Sequence, residues 1–233
     1  MRLRVIQTFV FLAVAAGVIL GAVSWMFEGA SDVKSAWAAI EARQYDQSTR
    51  LATRAIRFGR LDTEGRSSAL ECRATASLRT DHLDHALEDL DRIVALRPDY
   101  AGGYFLRGEA RLRQKKFEQA LTDLNQGFKI ADPDGKSPSR FLAKRYAQRG
   151  VTRLGMKEVD GAMADFNHSL ELGPNVPDTY YFRSFAFERQ KLLPQALADM
   201  ETAVKIQESN IFSLPHGDWL YRLQQLQERA KQP

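Results

Sequence analysis

The chain has 233 residues, of which 44% are hydrophobic, which is enough to build one sizeable packed core. Its 33 lysine and arginine residues exceed its 29 aspartate and glutamate residues by a formal charge of +4, and Arg2 and Arg4 supply two of these charges. The small excess that remains argues against nucleic acid as the main partner. The single cysteine, Cys72, excludes an internal disulfide, so the fold depends on packing.

The N-terminal segment over residues 5–27 contains no charged residue and is long enough to cross the roughly 30 Å hydrocarbon core of a bilayer. Two arginines precede it, whereas Glu28 and Asp32 follow it. The positive-inside rule therefore places the N-terminus in the cytoplasm and the remainder outside, on the periplasmic side. We expect a retained single-pass anchor with Trp25 and Phe27 at the membrane interface. The alternative is a signal cleaved before Trp25, which leaves a secreted protein.

Residues 28–66 are predicted to form a linker and a degenerate first copy of the pattern that follows. Small or apolar residues recur at helical spacing over residues 33–62, at Tyr45, Ser48, Ala52 and Ala55. The arginine and aspartate pair of the later copies is missing here, as expected of a terminal unit with one exposed face.

A strict internal repeat occupies residues 67–210. An arginine recurs at spacings of 34, 42 and 34 residues, and an aspartate follows each arginine sixteen residues later. A fixed period in this range indicates one supersecondary unit that is stacked several times. Alignment on an alanine three residues before each aspartate defines four units, 67–100, 101–134, 143–176 and 177–210.

Each unit has the pattern of two antiparallel helices joined by a short turn. Apolar residues return four and seven positions apart, which marks one face of a helix. Pro98 and Pro174 close two of the units. The additional residues 135–142 predict either a loop or a prolonged helix that starts near Ser139.

The columns of the aligned units resemble the tetratricopeptide repeat, which has an aromatic residue at position 4, a small residue at 8, alanine at 20, a large apolar residue at 24 and proline at 32. The resemblance covers residues 67–210 and implies an all-α, right-handed superhelical solenoid of helix-turn-helix units. The chain departs from the family pattern at position 7, which is arginine instead of leucine, and at Glu208, which replaces the last proline.

Residues 211–233 are predicted to form a capping helix. Asp218 is suited to begin that helix. One apolar stripe is expected along it, formed by Trp219, Leu220, Leu223, Leu226 and Ala230.

The arginine column has two interpretations. Positions 7 and 23 lie at about the same level of an antiparallel helix pair, so each guanidinium can reach the carboxylate of its own unit. The alternative is a row of cations that binds an anionic ligand, but a ligand row needs no matched carboxylate in each unit. The expected structural pairs are Arg73 with Asp89, Arg107 with Asp123, Arg149 with Asp165, and Arg183 with Asp199.

The resemblance also implies a binding surface, because tetratricopeptide repeats bind along a concave face lined by positions 2, 5, 9, 12 and 13 of the first helix. These positions predict an apolar strip with mixed charge at its edges, which suits a hydrophobic peptide or an amphipathic helix. Leu112 and Leu154 have the alternative role of packing against a neighbouring unit. The predicted groove residues are Glu71, Thr75, Arg79, Phe105, Glu109, Leu112, Arg113, Lys144, Ala147, Val151, Leu154, Tyr181, Phe185, Glu188 and Arg189.

The sequence contains only weak matches to motifs for nucleotide binding or metal binding. Gly135 begins a glycine, lysine and serine triplet that resembles the end of a phosphate loop, but the required earlier glycine falls at Ile130. A cluster that could ligate a metal lies at an inter-helix turn, where solvated polar residues are common: Asp81, His82, Asp84 and His85. We therefore expect no enzyme activity, no cofactor and no metal.

The favoured function is that of a non-enzymatic, membrane-tethered adaptor that holds a protein segment in its groove outside the cytoplasm. The alternative is a self-associating structural component of an envelope assembly, in which residues 218–230 of another copy fill the groove.

Overall fold

The computed structural model describes residues 29–135, 140–209 and 217–231. Within these ranges all regular structure is helical, and no strand occurs. No helix in the same ranges combines the length and the apolar character that crossing a membrane requires. The expected anchor over residues 5–27 lies outside the described residues.

The helices follow one another as pairs. Helix α1 covers residues 29–41. It is followed by α2 (Tyr45–Phe58), α3 (Thr63–Arg79), α4 (Leu83–Leu96), α5 (Ala101–Arg113), α6 (Phe117–Ala131), α7 (Arg140–Gly155), α8 (Val159–Leu172), α9 (Pro177–Arg189), α10 (Leu193–Ser209) and α11 (Gly217–Ala230). The chain divides into two compact units, one that ends at Arg107 and one that begins at Gly108.

The turn inside each pair is built in the same way. The residue at position 15 of the unit has a left-handed backbone. The N–H of the residue that follows it donates to the carbonyl of the residue five positions earlier, as Lys116 does to Arg111 at 2.9 Å. This arrangement satisfies a carbonyl at the end of the first helix and reverses the chain. The left-handed residues are Arg43, Asp81, Lys115, Lys157 and Lys191, with φ of 58°, 63°, 59°, 67° and 62°.

The core columns of the repeat are confirmed. The alanines at position 20 and the large apolar residues at position 24 are all fully buried. Position 8 must be small because a Cβ added to Gly150 would lie 2.6 Å from the ring of Phe166. The buried side chains of these two columns are Ala86, Ala120, Ala162, Ala196, Leu90, Leu124, Phe166 and Met200.

The degenerate first unit is a helix pair, but one prediction about it was wrong. Arg54 donates to Asp32 with two of its nitrogens, so an arginine and aspartate pair does exist there. Its polarity is reversed, because the aspartate lies on α1 and the arginine on α2. This reversed order differs from the pattern of the later units, in which the aspartate follows the arginine by sixteen residues.

Two of the helices that open a unit begin earlier than the 34-residue windows. Helix α3 starts at Thr63, where the Asp62 side chain accepts a hydrogen bond from the Gly65 N–H at 2.7 Å, four residues before its window. Helix α7 starts at Arg140, three residues before its window, in agreement with the prolonged helix predicted there.

The C-terminal helix α11 caps the last pair. Trp219 and Leu226 are buried against Met200, Ala203 and Val204 of α10, with Leu223 beside them. The predicted stripe was wrong at Leu220, which is 45% exposed, and at Ala230, which is also exposed. A helix buries a narrow arc against one neighbour, and these two residues lie beyond that arc.

Candidate protein-binding surface

Three of the predicted ion pairs are brought together. Arg73 donates to both carboxylate oxygens of Asp89, at 2.7 and 2.8 Å, and Arg183 does the same to Asp199 at the same distances. Arg149 donates to Asp165 at 2.7 Å. The hydrogen bond to Asp89 raises the pKa of Arg73 above its usual value. These bidentate contacts satisfy carboxylates that would otherwise be buried without a partner.

The fourth predicted pair, Arg107 and Asp123, straddles the boundary between the two compact units. Within its own unit, Arg107 donates to Asp91 at 2.8 Å. Asp123 accepts from Arg111 at 2.7 Å within its own unit. The direct pairing of Arg107 with Asp123 stays a prediction.

Each arginine also bridges successive helix pairs, a contact that was not predicted from the sequence. The remaining guanidinium nitrogen Nη1 reaches position 25 of the preceding pair, as from Arg183 to Asn167 at 2.8 Å. The signal was available, because position 25 is polar in each of those pairs. The other acceptors are Thr53 for Arg73 at 3.1 Å, Asp91 for Arg107 at 2.8 Å and Asn125 for Arg149 at 3.2 Å.

A second arginine reinforces the middle repeats. At position 11, Arg111 donates to Asp123 and Arg153 donates to Asp165, at 2.7 and 2.8 Å. Arg153 also donates to the carbonyl of Gly161 at 3.3 Å. The guanidinium donors are thus used within the chain, which favours the structural interpretation over a row of cations for an anionic ligand.

The side chain at position 5 of the predicted groove is buried or half-buried in all four strict units. Phe105 is fully buried, so the expectation that it lines an open groove was wrong. Ala147 is also buried, and Glu71 is half-buried and accepts a hydrogen bond from the Tyr100 hydroxyl at 2.9 Å. Position 5 lies beside the core column at position 4, so a side chain there is drawn into the apolar stripe.

The last repeat is covered by the chain's own C-terminal helix. The ring of Tyr181 stacks on Trp219, with centroids 4.7 Å apart and planes at 10°. The Arg222 guanidinium lies 3.3 Å from the ring centroid of Phe185. Burial raises the pKa of Tyr181 above its usual value. Tyr181 and Phe185 are therefore partly covered by α11 and stay half-exposed, and their part in a groove stays a prediction.

Acidic groove residues are also engaged internally. Glu188 accepts hydrogen bonds from Arg222 and Arg229 of α11. Glu109 accepts from Gln148 at 2.7 Å and from Arg145 at 3.2 Å. Burial alone would raise the pKa of Glu109, but the charge of Lys144, together with Gln148 and Arg145, brings it below its usual value. Glu109 and Glu188 therefore hold neighbouring helices together.

Several known proteins match parts of this chain in sequence, and some of them are tetratricopeptide-repeat proteins by name. Tetratricopeptide repeat protein 36 of Bos taurus is 30% identical over 107 residues, which span 46% of this chain and 55% of the relative. The human mitochondrial import receptor subunit TOM70 is 27% identical over 161 residues, 66% of this chain and 25% of the relative. No protein-family model matches the chain. The chain thus spans about half or less of the length of these relatives.

Solved structures agree on the fold. A thermophilic TPR protein of Thermus thermophilus superposes with a TM-score of 0.64 at 21% identity, over 86% of this chain and 99% of the other. The APC/C hetero-tetramer Cut9-Hcn1 superposes with a TM-score of 0.72 at 16% identity, over 88% of this chain and 36% of the other. The chain has the tetratricopeptide-repeat fold. The predicted all-α fold class is confirmed.

The groove positions of this tetratricopeptide-repeat fold that stay exposed are mainly basic. Arg79 is exposed in the unit that ends at Arg107, and Arg113, Lys144 and Arg189 are exposed in the other. Half-exposed positions are Thr75, Leu112 and Val151, whereas Leu154 packs with Phe166 and Ala186 in the core. The fully exposed groove positions of the second compact unit are therefore cations, which we call the basic face: Arg113, Lys144 and Arg189.

The candidate metal ligands remain solvent-facing side chains at a turn. The rings of His82 and His85 stack with centroids 6.0 Å apart. Within the described parts of the chain, no group of three histidine, cysteine or acidic side chains could hold a metal ion. Gly135 lies in an exposed turn with φ of 64°, beyond the end of α6.

Proposed function

We propose that the protein is a non-enzymatic adaptor that binds a partner protein through the basic face and is tethered to a membrane by residues 5–27. The observation that carries the proposal is the different exposure of the groove charges in the second compact unit. The side chains of Arg113, Lys144 and Arg189 are exposed, with Lys144 4.0 Å from Glu109, whereas Glu109 and Glu188 are half-buried against neighbouring side chains. A partner segment with acidic side chains on one face complements this surface.

The comparisons support a role in protein binding. TOM70 is by name an import receptor subunit, and Cut9 occurs in a hetero-tetramer with Hcn1. Those roles belong to those proteins. For this chain they favour a protein partner over a small-molecule substrate, because stacked helix pairs present extended surfaces instead of a closed reaction centre.

Charge reversal on the basic face tests the adaptor proposal. Arg113→Glu combined with Arg189→Glu should abolish proximity labelling of the partner while the thermal midpoint stays nearly unchanged, because both side chains are exposed. The matched control is Lys205→Glu, an exposed lysine on α10 outside the groove positions, which should leave labelling intact. Unchanged labelling in the double variant would contradict the proposal.

The membrane tether has a separate test. The protein should stay in the membrane fraction at high salt, and a reporter fused after Pro233 should be active only if it works outside the cytoplasm. A reporter that is active only in the cytoplasm would overturn the orientation. Recovery of a chain that begins at or just after Trp25 would overturn retention and indicate a secreted protein.

Self-association in an envelope assembly is the second candidate. It is favoured by the outer side of α11, where Leu220 is 45% and Tyr221 is 63% exposed. Filling of the groove by another copy's residues 218–230 is disfavoured, because α11 already contacts Tyr181 and Phe185 of its own chain. A mass in solution that increases with concentration, and returns to the monomer in Leu220→Ser with Tyr221→Ser, would support this candidate over the adaptor.

A further inference from the structure

The first strict repeat contains a polar cavity between α2, α3 and α4, within the unit that ends at Arg107. The cavity has a volume of about 400 Å³. We call it the Ser77 cavity. Its lining residues are Thr49, Thr53, Arg73, Ser77, His85, Glu88, Asp89 and Arg92.

The next two repeats carry an arginine where the first repeat has Ser77. In the third repeat, Arg153 donates to Asp165 at 2.8 Å and to the carbonyl of Gly161 at 3.3 Å. The residues of the first repeat that correspond to Asp165 and Gly161 are Asp89 and His85, and both line the cavity. The Ser77 cavity therefore lies where the third repeat holds a guanidinium group of its own.

The polar groups around the cavity can accept another cation. Asp89 is bound by Arg73 in the same way as Asp165 is bound by Arg149, yet Asp165 accepts a second arginine as well. Arg92 approaches Asp89 only to 3.9 Å and its side chain is 60% exposed, so it does not replace that second arginine.

Two additional features distinguish the first repeat. Glu88 adds a carboxylate to the cavity, at a position that is Thr122 in the second repeat and Ala164 in the third. Ser77, which is only 8% exposed, lines the cavity at the position of the arginine in the next two repeats.

We propose that the Ser77 cavity binds the guanidinium group of an arginine side chain presented by a partner protein. The planar group donates to Asp89 and Glu88, while the hydroxyls of Ser77 and Thr49 accept its remaining N–H groups. The cavity uses none of the groove positions. It forms a second contact that shares with the proposed function only the premise of a protein partner.

The test uses the full-length protein and a blocked amino acid as the probe. Nα-acetyl-arginine amide should shift the imidazole NMR signals of His85 in a saturable manner, whereas the neutral isostere Nα-acetyl-citrulline amide should not. His168 is the internal control, because its repeat already contains Arg153 in the corresponding place. No saturable shift of His85, or an equal response to the citrulline probe, would overturn the proposal.

Two variants locate the binding. Ser77→Arg should occupy the cavity from within and remove the response of His85 to the probe. Glu88→Gln, a conservative change at an exposed residue that should not disturb folding, should weaken probe affinity by about threefold. If Ser77→Arg does not fold, the Glu88→Gln result decides, and unchanged affinity in that variant contradicts the site.

Free L-arginine distinguishes a partner side chain from a small-molecule ligand. Its α-carboxylate is repelled by Glu88 and its α-ammonium is attracted, so a site that binds the side chain alone should not favour the free amino acid over the blocked amide. Tighter binding of the free amino acid than of the amide would assign the cavity to a small molecule and overturn the partner assignment. Loss of adaptor function in the basic-face variant leaves this result unaffected, so the two proposals fail independently.

Discussion

At the scale of single residues, one side chain performs two tasks. The position-7 arginine binds the buried aspartate of its own pair and a polar residue of the preceding pair, as Arg183 does with Asp199 and Asn167. A guanidinium suits this role because its donors point in several fixed directions in one plane. Substitution by lysine would keep the charge but lose most of this geometry.

The number of arginines that bind each aspartate predicts how much the free energy of unfolding falls when one arginine is replaced by alanine. Asp199 accepts from Arg183 alone among the described residues, whereas Asp165 accepts from Arg149 and Arg153. We expect Arg183→Ala to lower the free energy of unfolding by about 3 kcal/mol, because it leaves a buried carboxylate without a cation. Arg149→Ala should cost only about 1 to 2 kcal/mol.

Urea denaturation of the two variants and of Arg153→Ala provides the measurement. Arg149→Ala combined with Arg153→Ala should cost more than the sum of the two single changes, because only the double variant strands Asp165. Equal costs for Arg183→Ala and Arg149→Ala, or additive losses, would show that the pairs act as independent surface contacts.

Phe105 carries a second prediction at this scale. Because its ring is fully buried, Phe105→Ser should destabilise the protein by about 3 to 5 kcal/mol, as expected for removal of a core aromatic side chain. The loss should appear in thermal denaturation before any effect on binding can be measured. An unchanged thermal midpoint would show that Phe105 lines the groove and is not part of the core.

At the scale of elements, the turn between paired helices places an unfavourable residue at a fixed position. Lys115 has φ of 59°, a region in which a side chain is strained, whereas the adjacent Lys116 has φ of −85°. Lys115→Gly should stabilise the fold by up to about 1 kcal/mol because glycine adopts positive φ without strain.

Lys116→Gly is the matched control for the turn. The two lysines are adjacent and both exposed, so loss of the side chain is the same in each. Lys116→Gly should destabilise by about 0.5 to 1 kcal/mol, since glycine has no advantage at negative φ and loses more chain entropy on folding. If chemical denaturation shows that the free energy of unfolding changes in the same direction in both variants, this account of the turn is refuted.

The helix α11 behaves as a fitted cap in which aromatic and charged contacts cooperate. Trp219→Ala removes the stack on Tyr181 and the burial against α10, and should cost about 3 kcal/mol. Hydrogen exchange should then increase in α11 before it increases in α9. Tyr221→Ala, at a residue that is 63% exposed, should leave exchange in α11 unchanged.

At the scale of the whole molecule, Cys72 reports on folding. It is fully buried beside Ala36 and Ala52, and burial, followed by the negative charge of Glu71, raises the pKa of its thiol from 9.0 to about 12. The folded state therefore keeps a proton that the unfolded chain releases. The stabilisation that this provides is complete below pH 9.0 and is lost as the pH rises towards about 12.

Comparison with Cys72→Ala isolates this contribution. The free energy of unfolding of the native chain should fall more steeply above pH 9.0 than that of the variant. Alkylation of Cys72 at pH 8 should follow global unfolding, because the neutral buried thiol is unreactive. Rapid alkylation of the folded protein, or parallel pH profiles, would contradict this view.

The sequence by itself determined the fold class, the helix pairs and most of the core, because alanine at position 20 and a large apolar residue at position 24 have only one role in a stacked helix pair. It also determined three of the arginine and aspartate contacts, since a regular spacing translates directly into one level of a helix hairpin. The expected anchor over residues 5–27 stays a sequence-based prediction. Only the tertiary structure decided which groove positions are open.

Phe105 and Tyr181 have the same position in the repeat as Glu71, yet their exposure depends on what packs beside them, which spacing alone does not encode. The same reason explains why the Ser77 cavity had to be found in three dimensions. A serine in a column of arginines becomes informative only when the space beside it, and the carboxylates around that space, are known.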